Sequence, residues 1–138
     1  MTSTLVDTNV LLDVVEMRAQ WFEWSSRMLF GARRNGEVVL NPVVYAEASL
    51  PYESETAFLK FVDDAGLLKE DLPWACGFLA AKAHVRYRER GGERNSTLPD
   101  FFIGAHAQIR SYRLLTRDAG RFRTYFPKLE IIAPDTHP

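Results

Sequence analysis

Four acidic residues, Asp7, Glu47, Asp100 and Asp118, each stand where an apolar strand-like run hands over to a helix, or within the first turns of a helix. Asp7 is part of Asp-Thr-Asn, which sets a carboxylate, a hydroxyl and an amide side by side and is more polar than one helix cap requires. Taken singly, each acid has a bland explanation. Asp100, after Pro99, suits the positive end of a helix. Asp118 could cap a short turn at Ala119–Arg121, and Glu47 could face solvent on its helix. Taken together, four carboxylates on one edge of a sheet would repel one another by several kcal/mol unless a cation lay between them. No lysine lies near any of them in sequence, and the nearby arginines compensate only in part. Carboxylates, hydroxyls and water are the donors that magnesium and manganese prefer. Thr116 falls on the same side of its strand as Asp118 and adds a hydroxyl, while Asn9 adds an amide beside Asp7.

The elements that must position these groups follow from periodicity and punctuation. Thr4–Val6 reads as a short buried strand, and Val10, Leu11, Val14 and Val15 resume the apolar pattern at helical spacing. A second helix spans Gln20 to Arg34 and stops at Gly36. Glu37–Leu40 is a strand, and Asn41-Pro42 turns it into a helix with Asn41 as N-cap and Pro42 in the first turn, where its missing N–H costs nothing. Helices follow over Glu53–Ala65, from Pro73 to Gly91-Gly92, and from Pro99 to about Ser111. Leu114–Thr116 and Leu129–Ile132 are the last strands. Short strands alternating with helices predict a three-layer α/β/α sandwich around a parallel sheet of four to five strands, with residues 1–138 forming a single domain. In such a sheet the carboxyl ends of the strands share one edge, which is where Asp7 and Asp118 would meet.

Composition excludes other classes. With 138 residues and 46% hydrophobic content the chain can bury a real core. Its apolar runs fall well short of the roughly 18 residues of a membrane span, and no export signal pattern is seen. A single cysteine, Cys76, rules out an internal disulfide framework and suits a cytoplasmic setting, and the three histidines show no zinc-ligand spacing. The net charge of −1 argues against a strongly basic nucleic-acid wrapper. With four acids gathered in one pocket, however, 14 acids face 17 bases elsewhere, leaving +3 on the remainder. A mildly basic surface around an acidic hole is compatible with a polyanionic substrate.

In this order and at these distances, VDTNVLLD, PVVYAEAS, LPDFFIGAHA and LLTRDAGRF resemble the PIN-domain nucleases, and in particular the VapC-type toxin ribonucleases of bacterial toxin–antitoxin pairs. The resemblance covers nearly the whole chain. It implies that Asp7, Glu47, Asp100 and Asp118 form the acidic catalytic and metal site, with Asn9 and Thr116 in support. It implies one or two Mg²⁺ or Mn²⁺ ions, an RNA substrate hydrolysed through a metal-activated water, a small antitoxin partner and a homodimer. The family usually reads D-x-x-I-A-A-x-A after the third acid, whereas here Gly104 and His106 intrude, and neither removes a ligand. Beside Asp100, Gly104 and Ala107 are expected to leave open space, and a capping Asp7 is expected to stay ionised.

Several further residues carry both a functional and an ordinary explanation. Arg117 and Arg121 flank Asp118 and are placed to touch phosphate, and Arg86, Arg88, Arg90 and Arg94 cluster before the Asp100 segment, where they could hold an RNA backbone or simply complement a helix C-terminus. His106 lies six positions beyond Asp100, about 240° round an ideal helix, and so belongs to the core or surface rather than to the acids. His84 is read the same way. Trp21, Phe22 and Trp24 are too many for one inward stripe, so part of that cluster is expected to be exposed, as an interface would require. Asp13 is expected to be solvated surface.

Other chemistries fit less well. A haloacid-dehalogenase-type phosphatase needs a second aspartate where Asn9 stands, and a receiver domain needs an early acidic pair and a late lysine that are not seen. The remaining alternative is a catalytically silent PIN-like module that binds RNA or protein.

Overall fold

The computed structural model describes residues 2–92 and 98–138. Among these residues five strands, β1 (Thr4–Val6), β2 (Val38–Leu40), β3 (Leu68–Lys69), β4 (Arg113–Leu115) and β5 (Ile131–Ile132), form one sheet in the order β3-β2-β1-β4-β5. Every pairing is parallel, with Leu5 opposite both Val39 and Leu114. The sequence leads to this arrangement because β1, β2 and β4 are short and apolar and are buried along almost their whole length, as strands covered by helices on both faces must be.

Among the described residues seven helices connect and cover the strands: α1 (Thr8–Val15), α2 (Phe22–Asn35), α3 (Pro42–Ala48), α4 (Glu55–Asp64), α5 (Ala75–Glu89), α6 (Leu98–Arg110) and α7 (Gly120–Tyr125). Right-handed crossovers place the helices that carry the chain outward from β1 to β3 on one face, and those that carry it through β4 to β5 on the other. The expected three-layer α/β/α sandwich is therefore the observed one. Its core holds Phe58, Phe101 and Phe126, all fully buried, with Leu5, Leu11, Leu40, Ile103, Leu114 and Leu115. Burying each such side chain contributes roughly 1.5–3 kcal/mol.

Local signals end the helices where expected. Asp7, Asn41 and Ser54 cap α1, α3 and α4 with their side chains. After α5 the chain reverses at Gly91, whose φ of +88° a side chain would strain. Two details differ from expectation. β3 is a two-residue edge strand with Leu68 45% exposed, too short and too open to leave a periodic signal. The aromatic cluster of α2 is also better covered than predicted. Trp24 is buried with its Nε1 donating to the His137 carbonyl (2.7 Å), while Trp21 and Phe22 are half-buried. The most exposed aromatics are instead Trp74 (98%) and Phe78 (71%) at the start of α5. Among the described residues no helix is long and apolar enough to cross a membrane.

Candidate active site

The chain leaves β1 toward β2 on one side, and β4 returns to lie against β1 on the other. That reversal of strand order opens a crevice beyond the carboxyl ends of β1 and β4, the usual ligand position in open α/β sheets. A pocket of about 220 Å³ lies here, lined by Asp7, Thr8, Asn9, Leu12, Arg18, Glu47, Asp100, Asp118, Arg121 and Phe122. The four acids singled out from the sequence thus line one cavity, although they come from four separate places in the chain.

Asp7 forms the floor. Its backbone N–H donates to the Leu115 carbonyl (2.8 Å), tying the end of β1 to the end of β4. Its extended backbone makes it the N-cap of α1, and Oδ1 accepts from the Thr8 N–H (2.7 Å). Oδ2 accepts from the Thr116 hydroxyl (2.8 Å) and the Asn9 amide (3.3 Å). Thr116 Oγ1 in turn accepts from the Asp118 N–H (3.1 Å), and Asn9 Oδ1 accepts from the Arg117 N–H (3.3 Å). The two supporting residues therefore bind the β4 exit to the α1 start and fix the distance between the first and last acids.

Glu47 arrives from the second turn of α3 and accepts from the Thr8 hydroxyl (2.7 Å). Thr8 thereby links two of the acids, and sequence reasoning missed it, although it is the middle residue of the Asp-Thr-Asn triplet. Asp100 lies in the first turn of α6, and its Oδ2 accepts from Arg121 Nη1 at 2.5 Å. Asp118 is exposed at the pocket mouth, and α7 has no side-chain cap, so the ordinary capping explanation for this residue does not apply.

Electrostatics depart from expectation. Asp7 is only 5% exposed, and burial pushes its carboxyl up to about 7. The hydrogen bonds from Thr116 and Thr8 oppose that rise, and the charges of Asp100 and Glu47 reinforce it. The cap bond is thus too weak to keep Asp7 ionised at neutral pH against desolvation and like charge. Asp100 is also raised, chiefly by burial, with Arg121 pulling it down and Glu47 and Asp118 pushing it up. In both cases burial and like charge outweigh the groups that compensate them.

Oxygen donors alone line the acidic side, a donor set that fits a hard divalent ion rather than zinc. Among the described residues no three acidic, histidine or cysteine side chains converge as a ready-made chelate. Asp7, Glu47 and Asp100 are each held by a protein hydrogen bond instead, so ligation would require those bonds to be shared or exchanged.

The remaining sequence candidates divide. Arg121 lines the pocket, with its guanidinium 5.5 Å over the Tyr87 ring. Arg117 does not line it. Its guanidinium forks onto Asp13, with Nε to Oδ2 at 2.8 Å and Nη2 to Oδ1 at 2.9 Å, and lies over Trp21. Asp13 is fully buried rather than solvated, and also accepts from the Ser25 hydroxyl (2.8 Å). Helical angle alone could not show that α2 and the β4 exit close over it. Arg86 reaches the Tyr125 carbonyl at 3.5 Å and Arg90 lies over the Tyr125 ring, both outside the pocket lining, while Arg94 lies outside the described residues. Arg18, missed from the sequence, lines the pocket just after Met17, which follows the end of α1 in a left-handed conformation (φ +51°). His106 is fully buried and binds Glu70 and Asn41, away from the acids, as its helical angle implied. His84 packs edge-on against Phe101. The space expected beside Asp100 is filled, since a Cβ on Gly104 would come within 2.6 Å of Phe126 Cδ2.

Comparison with known proteins bears on the fold. No protein-family model matches the sequence, and no curated protein matches it. Solved structures do. VapBC2 from Rickettsia felis, bound to a DNA fragment from its promoter, superposes with a TM-score of 0.69 at 16% identity, over 96% of this chain and 98% of that one. FitAcB from Neisseria gonorrhoeae gives 0.68 at 20% identity, over 98% and 99%. VapC20 of Mycobacterium tuberculosis, described as a Sarcin-Ricin loop cleaving toxin, gives 0.61 at 15% identity, over 89% and 95%. At these identities the likeness is one of fold alone, and the fold of this chain is PIN-like, as in those structures.

Proposed function

We propose that this protein is a divalent-metal-dependent endoribonuclease, acting as the toxin of a toxin–antitoxin pair through one nuclease domain spanning residues 1–138. The observation that carries it is the pocket at the β1/β4 reversal, where Asp7, Glu47, Asp100 and Asp118 meet from four elements. These four would hold one or two Mg²⁺ or Mn²⁺ ions. The bound metal supplies an activated water and positive charge against the phosphodiester. Asn9 and Thr116 keep the Asp7 carboxylate aimed into the pocket, and Thr8 does the same for Glu47. Arg121 and Arg18 at the rim offer guanidinium groups to RNA phosphates. Arg86 and Arg90 extend that basic surface along the α5 end, and Arg94 belongs to the same proposal from its sequence position alone, whereas Arg117 serves to hold the Asp118 segment against α1.

A small antitoxin protein, a homodimeric state and a cytoplasmic location belong to the same proposal. It is supported by likeness in fold to complexes described as toxin–antitoxin pairs.

The test is cleavage of a panel of structured RNAs with Mg²⁺ or Mn²⁺ by the wild type and by Asp7→Asn. Cleavage abolished by EDTA and lowered more than about 100-fold in the variant is expected, since loss of a ligand should exceed loss of the groups that orient it. Equal activity in both, or none in either with the fold intact, overturns the nuclease reading and leaves the silent binding module. Growth arrest on expression, relieved by a neighbouring small protein, tests the toxin role.

A further inference from the structure

Arg121 is the arginine in direct contact with a pocket carboxylate among the described residues, since the other lining arginine, Arg18, places Nη2 2.6 Å from Glu16 outside the pocket. It stands on the first turn of α7, three residues after Asp118, and reaches across to Asp100 on α6. Its side chain is 35% exposed and its guanidinium carbon lies 5.5 Å from the Tyr87 ring centre, so the guanidinium can leave Asp100 without opening the core. A guanidinium also has the planar fork that matches a phosphate. Resting on the metal-site reading above, we propose that Arg121 is a built-in counter-ion. It holds Asp100 while the pocket lacks a divalent ion, and is released toward a substrate phosphate when the ion loads.

Two properties of the site require such a group. Four carboxylates share a pocket of about 220 Å³, and Asp7 on its floor is only 5% exposed. A mobile cation relieves this without filling the site permanently. A divalent ion approaching Asp100 meets a positive charge already there, so each weakens the binding of the other at that carboxylate. The same exchange couples loading to substrate grip, because the arginine becomes free for phosphate only when the ion has replaced it.

Calorimetric titration of Mn²⁺ into the intact protein tests this directly. Arg121→Gln is expected to bind Mn²⁺ about 10-fold more tightly than wild type, the usual range for coupled sites. Arg121→Lys keeps the charge and should stay near wild type. In an Asp100→Asn background the Arg121→Gln effect should vanish, because the pair no longer exists. Melting temperatures with and without Mn²⁺ verify that each variant is folded, and should show a larger Mn²⁺-induced rise for Arg121→Gln. Unchanged or weaker Mn²⁺ binding in a folded Arg121→Gln overturns the counter-ion and leaves the metal site standing. Absence of Mn²⁺ binding in both wild type and Arg121→Gln overturns both.

Discussion

Two polar clusters lie beyond the carboxyl ends of the strands, and they are built on opposite terms. At β2 and β3, Asn41 caps α3 by accepting from the Val44 N–H (3.0 Å), which leaves its amide to donate to His106 Nδ1 (3.1 Å). His106 then carries its proton on Nε2 and donates to Glu70 Oε2 (2.5 Å), while Tyr112 donates to Glu70 Oε1 (2.7 Å). Burial alone would raise the Glu70 carboxyl, but Tyr112, His106 and Arg110 together hold it below its usual range. At β1 and β4 the reverse holds. Asp7 and Asp100 are raised, chiefly by burial, with neighbouring acids adding to the rise and Arg121 opposing it at Asp100. A fully matched network serves the fold. An under-compensated one is the arrangement that the proposed metal site calls for. The cleft beside the first cluster is about 310 Å³ against about 220 Å³ for the acid pocket, so size does not distinguish the two clusters in the way their charge balance does.

The contrast can be broken experimentally. The largest effect expected is on Asp7. In the unfolded chain its carboxyl titrates near 3.8 and in the folded protein near 7. Between those values the folded state holds the extra proton, so metal-free stability falls as pH rises from about 4 to about 7 and levels off above. The gap amounts to roughly 4 kcal/mol. Asp7→Asn should therefore be more stable than wild type above pH 7 without metal, and should lose most of that slope in urea melts across pH 5–8. A slope of equal size in both would remove the distinction between the clusters.

His106→Ala should produce the next effect, a loss of about 3 kcal/mol from the cavity and the stranded Asn41 and Glu70 groups, with Mn²⁺ affinity unchanged. A large loss of metal affinity at constant fold would show that the two clusters are one. Thr116→Val removes the hydroxyl that orients Asp7, and Mn²⁺ affinity should fall by about 10- to 100-fold in calorimetry with little change in fold. Tyr112→Phe is the smallest, about 1 kcal/mol of stability by thermal melting and no change in metal binding.

Much of this arrangement was legible in the sequence, for reasons that lie in particular residues. β1, α1, β2 and α3 follow from local periodicity and from caps such as Asn41-Pro42, which need no knowledge of distant chain. The four acids were readable because a parallel sheet brings strand ends to one edge whatever the details of packing. Asp13 was not readable. Its burial depends on Ser25 from α2 and Arg117 from beyond β4 closing over it, and an angle on one helix reports neither. The same closure takes the Arg117 guanidinium away from the phosphate role that its neighbour Asp118 suggested. Arg18 entered the pocket through a left-handed turn at Met17, a residue type with no tendency to form one. The raised Asp7 was missed because hydrogen bonds are visible in a motif and desolvation is not.

Gly104 began as a departure from a familiar pattern and has a dimensional meaning. It sits one helical turn after Asp100, where the Phe126 ring lies too close to α6 to admit a methyl group. Phe126 follows directly on α7, the helix that carries Arg121 and trails Asp118. The thickness of a benzene ring, laid against bare backbone, thus gauges how far apart two jaws of the site stand. An alanine at 104 would act as a shim about an ångström thick, set in the hinge of the vise rather than in its grip.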